Sequence, residues 1–161
     1  MPLTLLTLET LAPTLPRHAR LIGIDLGSIT IGLALSDVER RIATPLETLA
    51  RAKFSVDAQK LIAIVEKFEA AALVIGMPFN MDGSSGPRVQ ATHAFMRNFA
   101  ALCPKPFIAW DERLSTAAVT RALIAQDASR AKRAAVIDKM AAAYILQGAL
   151  DRLAYLGRSA T

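Results

Sequence analysis

Short apolar runs bounded by turn-forming residues dominate the chain between residues 20 and 50. Runs at 21–27 and 31–36 are separated by a glycine turn, and a third run at 42–49 contains Pro45. Short apolar runs predict strands, the first of them buried and stopped at Gly27, and a proline inside a strand indicates an edge position. Three consecutive strands with tight connections predict an antiparallel meander.

Helical spacing follows the meander. Leu61, Ile64, Val65 and Phe68 recur at positions i, i+3, i+4 and i+7, which is the apolar stripe of an amphipathic helix. The same criteria predict the remaining elements: strands at 72–76 and 107–110, and helices at about 87–102, from Ser115 or Thr116 onward, and at about 136–156.

The predicted order is therefore β-β-β-α-β-α-β-α-α. Right-handed crossovers through helices make the later strands parallel. We expect an α/β fold in which a mixed five-stranded sheet, an antiparallel meander plus parallel strands, is flanked by helices. Residues 20–157 are predicted to form a single domain, and residues 1–19 an appendage, helix or turn, that packs on it.

Composition narrows the functional classes. The chain has 161 residues with 53% hydrophobic and 20% charged, which is typical of one folded domain and not of a disordered chain. Its net charge of +5 favours a polyanionic partner. Cys103 is the single cysteine, which excludes an intramolecular disulfide and a multi-cysteine metal site. With no long apolar run and no basic leader, we expect a cytoplasmic protein without membrane contact.

Four of the fourteen acidic residues lie where a carboxylate is costly: Asp25, Asp111, Glu112 and Asp138. Asp25 is flanked by Ile24 and Leu26 in an apolar strand, so a bound cation explains it best. Asp138 equally fits the positive end of its own helix dipole. Either Asp111 or Glu112 could instead pair with Arg113.

Asp111 and Glu112 point to opposite faces because side chains alternate along a strand. Only one of them can share a pocket with Asp25. Three carboxylates converging from two strand ends and a helix would suit a pair of Mg²⁺ or Mn²⁺ ions. Two such ions activate water and stabilise the leaving oxygen in phosphodiester cleavage.

Basic residues cluster in sequence near these acids and suit a phosphate-bearing substrate. Residues 127–133, before Asp138, are predicted to form a basic loop, and the alternative to substrate binding is that the charges of this loop are only solvated. The candidate substrate-binding residues are Asn80, in a loop predicted at 80–87, Arg88 just after it, Arg113, Arg130, Lys132 and Arg133.

Five segments together resemble the YqgF (RuvX) family of bacterial nucleases: 23–28, 31–37, 76–83, 110–116 and 136–142. The resemblance implies an RNase H-like fold. It also places Asp25, Glu112 and Asp138 on the acidic catalytic and metal-binding positions, which favours Glu112 over Asp111. The implied activity is metal-dependent endonucleolytic processing of the 5′ end of pre-16S ribosomal RNA, with two Mg²⁺ or Mn²⁺ ions. The implied partner is a nucleic acid, with RNA favoured over DNA. The protein is expected to be a monomer or a homodimer.

One departure from the family concerns the first turn. Family members usually carry Lys or Arg between the Gly-Ser or Gly-Thr pair and the following Ile-Gly. Here the stretch is Ser28, Ile29, Thr30 and Ile31, without a basic residue. A phosphate contact from the side chains of this turn is therefore not expected.

Three other functions compete with the ribosomal RNA nuclease. A Holliday-junction resolvase acting on DNA would use the same acids. A non-catalytic nucleic-acid-binding module is disfavoured because all three acids are retained. An actin-like ATPase is suggested by the segment 25–28, but it requires a second domain to close around the nucleotide.

Overall fold

The computed structural model describes residues 2–80, 82–114 and 130–159, with the side chains of the last helix described over 138–157. The strands are β1 (Leu5–Leu6), β2 (Leu21–Leu26), β3 (Thr30–Ser36), β4 (Ala43–Ala50), β5 (Ala72–Met77) and β6 (Phe107–Asp111). The helices in these ranges are α1 (Leu8–Leu11), α2 (Phe54–Phe68), α3 (Pro87–Ala100) and α4 (Arg130–Ser159). Short 3₁₀ turns cover Ala12–Thr14 and Glu112–Leu114.

The strands form one sheet in the order β1-β6-β5-β2-β3-β4. Strands β2, β3 and β4 are antiparallel neighbours, whereas β2, β5 and β6 run parallel. The predicted combination of a meander with parallel strands is confirmed. Pro45 lies on the edge strand β4, as expected from its missing amide hydrogen. Strands β2 and β5 lie centrally, and all their residues are buried.

The sheet has six strands. The prediction of five strands was wrong because it did not include the short strand β1. Leu5 pairs with Phe107 and Leu6 with Ile108, so β1 covers part of the outer edge of β6. Two residues are too few to show a strand period in the sequence, and the free edge that they cover is visible only in the assembled sheet. The helix expected in this segment is α1, whose Leu8 and Leu11 are buried.

The sheet separates two apolar cores. On one face, Ile22, Ile24 and Leu26 of β2 pack with α2 and α3. On the other face, Leu21 of β2 packs with α4 and α1. This division follows from the alternation of side chains along β2. It also means that odd-numbered residues of β2 face α4.

Helix α4 begins earlier than the hydrophobic pattern predicts. The segment that contains Arg130, Lys132 and Arg133 was expected to be a loop, but it is helical. Arginine, lysine and alanine are strong helix formers, so propensity extends the helix beyond its apolar stripe. The helix predicted from Ser115 or Thr116 onward lies outside the described residues.

Charged side chains recur along α4 although it spans 30 residues. The 18-residue apolar stretch that a membrane-spanning helix requires is therefore interrupted. Across the described ranges, none of the helices combines the length and hydropathy needed to cross a membrane.

Candidate active site

Asp25 lies near the end of β2 with 3% of its surface exposed. Because side chains alternate along a strand, Asp25 and Gly23 share one face of the sheet. A Cβ at Gly23 would lie 2.7 Å from the carbonyl oxygen of Ala142 in α4. Asp25 therefore points toward the face that α4 covers, where its carboxylate is largely removed from bulk water.

Asp138 of α4 lies directly against the β2–β3 hairpin. Gly32 is the cross-strand partner of Asp25, and it approaches Asp138 so closely that a Cβ there would overlap the Asp138 carbonyl group. The hydroxyl of Thr30 donates a hydrogen bond to Oδ2 of Asp138. Asp25 and Asp138 are thus both neighbours of Gly32.

Glu112 faces α4, whereas Asp111 does not. Trp110 marks the α4 face of β6, because a Cβ at Gly148 would lie 2.6 Å from its ring. Asp111 is the next residue along the strand and points to the opposite face. Glu112 returns to the α4 face, and its Oε1 lies 2.8 Å from where a Cβ of Gly76 would stand.

Gly76 brings Glu112 beside Asp25. Strands β2 and β5 are parallel neighbours with Ile24 opposite Ile75. Asp25 and Gly76 are the next residues along these two strands. Small residues on both neighbouring strands, Gly32 and Gly76, leave room on either side of Asp25 for the two other acids. The three acids expected from the sequence therefore lie on the same face of the sheet, next to Gly32 and Gly76.

The chemistry of this donor set suits a hard divalent cation. All three acids offer carboxylate oxygens, which Mg²⁺ and Mn²⁺ prefer over nitrogen or sulfur ligands. As the side chains stand, no three Asp, Glu, His or Cys residues in the described ranges are grouped closely enough to hold a metal ion. The residues fit a divalent cation by donor type and by shared face, without forming a closed cage.

Asp111 is bound by Arg113, as the alternative interpretation of this acid expected. Nη2 of Arg113 lies 2.6 Å from Oδ2 of Asp111, and Nε donates to Oδ1 at 3.0 Å. The backbone amide of Arg113 donates to the same Oδ1. The side-chain hydrogen bond from Arg113 lowers the pKa of Asp111 below its ordinary value. Arg113 was expected to bind the substrate, but in the structure its guanidinium is hydrogen-bonded to Asp111.

Asn80 belongs to a turn that is closed by its own hydrogen bonds. Its Nδ2 donates to Oγ of Ser84 at 2.9 Å, and its carbonyl accepts from the amide of Gly83 at 2.8 Å. The guanidinium of Arg113 lies over the ring of Phe79, 5.7 Å from its centroid. Arg113 therefore contacts both Phe79, which precedes this turn, and Asp111, which precedes Glu112. The side-chain amide of Asn80 is hydrogen-bonded within the turn.

The remaining basic candidates lie at helix starts. Arg88 is exposed in the first turn of α3. Arg130, Lys132 and Arg133 open α4 on the N-terminal side of Asp138. At a rise of roughly 1.5 Å per residue, Arg133 and Arg130 lie about 7.5 and 12 Å along the helix axis from Asp138.

Sequence reasoning missed three residues around the first turn: Thr30, Arg51 and Asp57. Thr30 reaches Asp138 from 108 positions away, a contact without a local sequence signal. Asp57 lies in the first turn of α2, where an acidic residue is favoured by the helix dipole, yet it is fully buried. Its carboxylate accepts a hydrogen bond from the amide of Ala52.

Comparison with known proteins places the chain in a family. The family model described as "RuvX: Holliday junction resolvase" matches residues 19–152. A relative from Beijerinckia indica named "Putative pre-16S rRNA nuclease" is 66% identical over 160 residues, 99% of this chain and 97% of the relative. A relative of the same name from Methylocella silvestris is 75% identical over 138 residues, 86% of this chain and 85% of the relative.

Solved structures support the fold at low sequence identity. RuvC of T. thermophilus in complex with a Holliday junction substrate aligns with a TM-score of 0.53 at 16% identity, covering 85% of this chain and 97% of that one. The yeast mitochondrial Holliday junction resolvase Ydc2 aligns with a TM-score of 0.53 at 15% identity, covering 94% and 86%. The expected fold and the resemblance are confirmed. This chain belongs to the RuvX (YqgF) family.

Proposed function

We propose that this chain is a metal-dependent endonuclease that hydrolyses phosphodiester bonds in RNA and processes the 5′ end of pre-16S ribosomal RNA in the cytoplasm. The observation that carries the proposal is the position of Asp25, Glu112 and Asp138 on one face of the sheet, with Asp138 against Gly32 and Glu112 against Gly76. The names of the relatives, which cover almost the whole chain, support the substrate.

Asp25, Glu112 and Asp138 are the proposed ligands of two Mg²⁺ or Mn²⁺ ions. When bound, divalent cations would supply Lewis acidity that activates a water molecule and stabilises the oxygen that leaves the phosphorus. Asp25 presents its carboxylate from a rigid central strand and is shielded from bulk water. Thr30 donates to Oδ2 of Asp138 and orients that carboxylate. Supporting hydrogen bonds of this kind fix the direction in which a ligand presents its oxygens.

The test of this proposal is cleavage of an RNA that carries the 5′ leader of 16S ribosomal RNA. We expect cleavage with Mg²⁺ or Mn²⁺, its loss in EDTA, and its return when excess Mg²⁺ is added. A covalently closed circle of the same RNA should also be cut, since an endonuclease needs no free end. Activity that survives EDTA unchanged would contradict the metal proposal.

Resolution of DNA junctions is the second candidate function. The description of the matching family and the fold shared with RuvC favour it. A synthetic four-way DNA junction, assayed beside the leader RNA under identical conditions, separates the two functions. Faster cleavage of the junction at equal enzyme concentration would favour the resolvase.

The basic start of α4 is proposed to hold the substrate backbone. If Arg130, Lys132 and Arg133 each bind a phosphate, replacing all three with alanine should weaken RNA binding for every sequence alike. The slope of log affinity against log salt should fall by about 0.7 for each single-strand phosphate that is no longer neutralised, or roughly 2 for the triple variant. Cleavage at saturating RNA should recover, because these residues position the backbone.

A matched triple variant lies on the other side of the sheet. Lys60 and Lys67 are exposed on α2, and Arg97 is exposed on α3. Replacing these three with alanine removes the same net charge far from the acids, so the salt slope should stay close to that of the parent. Equal slopes for the α4 triple variant and the parent would assign this segment no part in binding.

A further inference from the structure

The turn between β2 and β3 is held from outside by Arg51, which follows β4. The backbone amide of Arg51 donates to the carbonyl of Ile29 at 2.8 Å. Its Nη1 donates to the carbonyl of Gly27, also at 2.8 Å. Within the turn, the amide of Gly27 donates to the carbonyl of Thr30 at 2.9 Å. Arg51 therefore contacts the turn at two of its carbonyl groups.

Arg51 is itself anchored by a buried acid. Oδ2 of Asp57 lies 3.9 Å from Nε of Arg51, and Oδ1 accepts a hydrogen bond from the amide of Ala52 at 3.0 Å. Asp57 is fully buried, whereas the side chain of Arg51 keeps 30% of its surface exposed. A buried carboxylate is tolerated when it is hydrogen-bonded and faces a positive charge. Asp57 thus fixes the chain immediately after Arg51 and attracts its guanidinium.

The turn that Arg51 holds ends in the residue that contacts Asp138. Thr30 closes the turn through its carbonyl and donates its hydroxyl to Oδ2 of Asp138. A displacement of the turn would therefore move the donor that orients this acid. Residues Ser28–Thr30 of the turn carry no charged side chain. The positive charge that contacts the turn comes from Arg51, which follows β4.

We infer that Arg51 is a positioning residue for the carboxylate of Asp138, acting through the turn and Thr30 with Asp57 as its anchor. The inference rests on the proposed nuclease function, since it assigns Asp138 a role in cleavage. Arg51 would contribute without touching the reacting phosphate. Loss of a residue that orients a ligand in this way typically reduces activity 10- to 100-fold.

Arg40 provides a matched control at the opposite end of β3. Its Nη1 donates to two main-chain carbonyls, those of Pro16 at 3.0 Å and Ala19 at 2.7 Å, whereas the guanidinium of Arg51 donates to the carbonyl of Gly27 alone. Both arginines thus tie a neighbouring segment through main-chain carbonyls, but Arg40 ties the segment before β2 to the β3–β4 turn. A general loss of stability would follow from either arginine, whereas an effect on Asp138 should follow from Arg51 alone.

The kinetic test compares Arg51→Ala, Arg51→Gln and Arg40→Ala in RNA cleavage, after thermal unfolding has shown which variants fold. We expect kcat to fall 10- to 100-fold in both Arg51 variants with KM within about twofold of the parent. Arg40→Ala should retain the parental kcat. The glutamine variant keeps part of the side-chain stem, so it remains informative if the alanine variant unfolds.

A double variant tests the route through Thr30. Thr30→Val removes the hydroxyl with little change of volume. If Arg51 acts through Thr30, Arg51→Ala combined with Thr30→Val should lose no more kcat than the worse single variant. Multiplied losses, a parental kcat in both Arg51 variants, or a change confined to KM would each overturn the inference.

Amide hydrogen exchange provides a measurement that does not depend on cleavage. We expect exchange at Gly27 to accelerate at least tenfold in the Arg51 variants and to remain parental in Arg40→Ala. Unchanged exchange would overturn the inference even if the parent cleaves RNA. A parent that cleaves no RNA would instead contradict the proposed function, and accelerated exchange would still support the hold of Arg51 on the turn.

Discussion

Replacing Asp25 with asparagine is expected to abolish RNA cleavage while leaving the fold intact. Asparagine keeps the shape of the side chain but removes the charge that a divalent cation requires. We expect kcat/KM to fall at least 100-fold, which corresponds to about 2.7 kcal/mol of lost transition-state stabilisation. The midpoint of thermal unfolding without metal should be unchanged or higher, because a buried charge is removed from a group of acids.

Asp111→Asn is the control for this variant. Asp111 lies close in sequence to Glu112, but it faces away from α4 and is bound by Arg113. We expect its kcat/KM to stay within about tenfold of the parent, since an exposed ion pair contributes little. Equal losses in Asp25→Asn and Asp111→Asn would show that the strand faces are assigned wrongly.

Replacing Gly32 with alanine is expected to have the largest effect on stability. The added Cβ would overlap the backbone carbonyl of Asp138, which cannot rotate away as a side chain can. Overpacking of this kind costs about 3 kcal/mol. For a domain of this size the thermal midpoint should fall by roughly 6–12 °C. RNA cleavage should fall as well, because α4 must shift and carry Asp138 away from Asp25.

Gly157→Ala is the matched substitution within α4. A Cβ at Gly157 would have nothing within 4 Å, and alanine favours a helix over glycine. We expect this variant to be more stable than the parent by up to about 1 kcal/mol. Differential scanning calorimetry gives the thermal unfolding midpoints of both variants. Similar midpoints for Gly32→Ala and Gly157→Ala would contradict the close packing of α4 on Gly32.

The sequence predicts the central sheet well because its strands carry strong local signals. Short apolar runs locate β2, β3 and β5, two of them with glycine at their end, and Pro45 marks the edge strand. The carboxylate of Asp25 within an apolar run likewise stands out without structural knowledge. These features depend on residues within a few positions of one another, which is the range over which periodicity and turn chemistry act.

Features that depend on assembly were not predictable. Residue alternation alone leaves the choice between Asp111 and Glu112 open, and only the resemblance favours Glu112; the structure places Glu112 against Gly76 on the α4 face. The short strand β1 exists because β6 offers it an edge. Thr30 and Arg51 have ordinary sequence surroundings, and their contacts arise only when separate strands meet at the first turn.

The location of Asp138 on α4 has a consequence for the order in which the molecule becomes active. Its contact with Thr30 spans 108 residues, and closing so long a segment of chain is among the later events of folding. The hairpin and the parallel strands can assemble first and bring Asp25 and Glu112 together with the third acid still missing. A chain whose last helix has not yet docked would therefore lack one of the three acids, so the full set would exist only once the fold is complete.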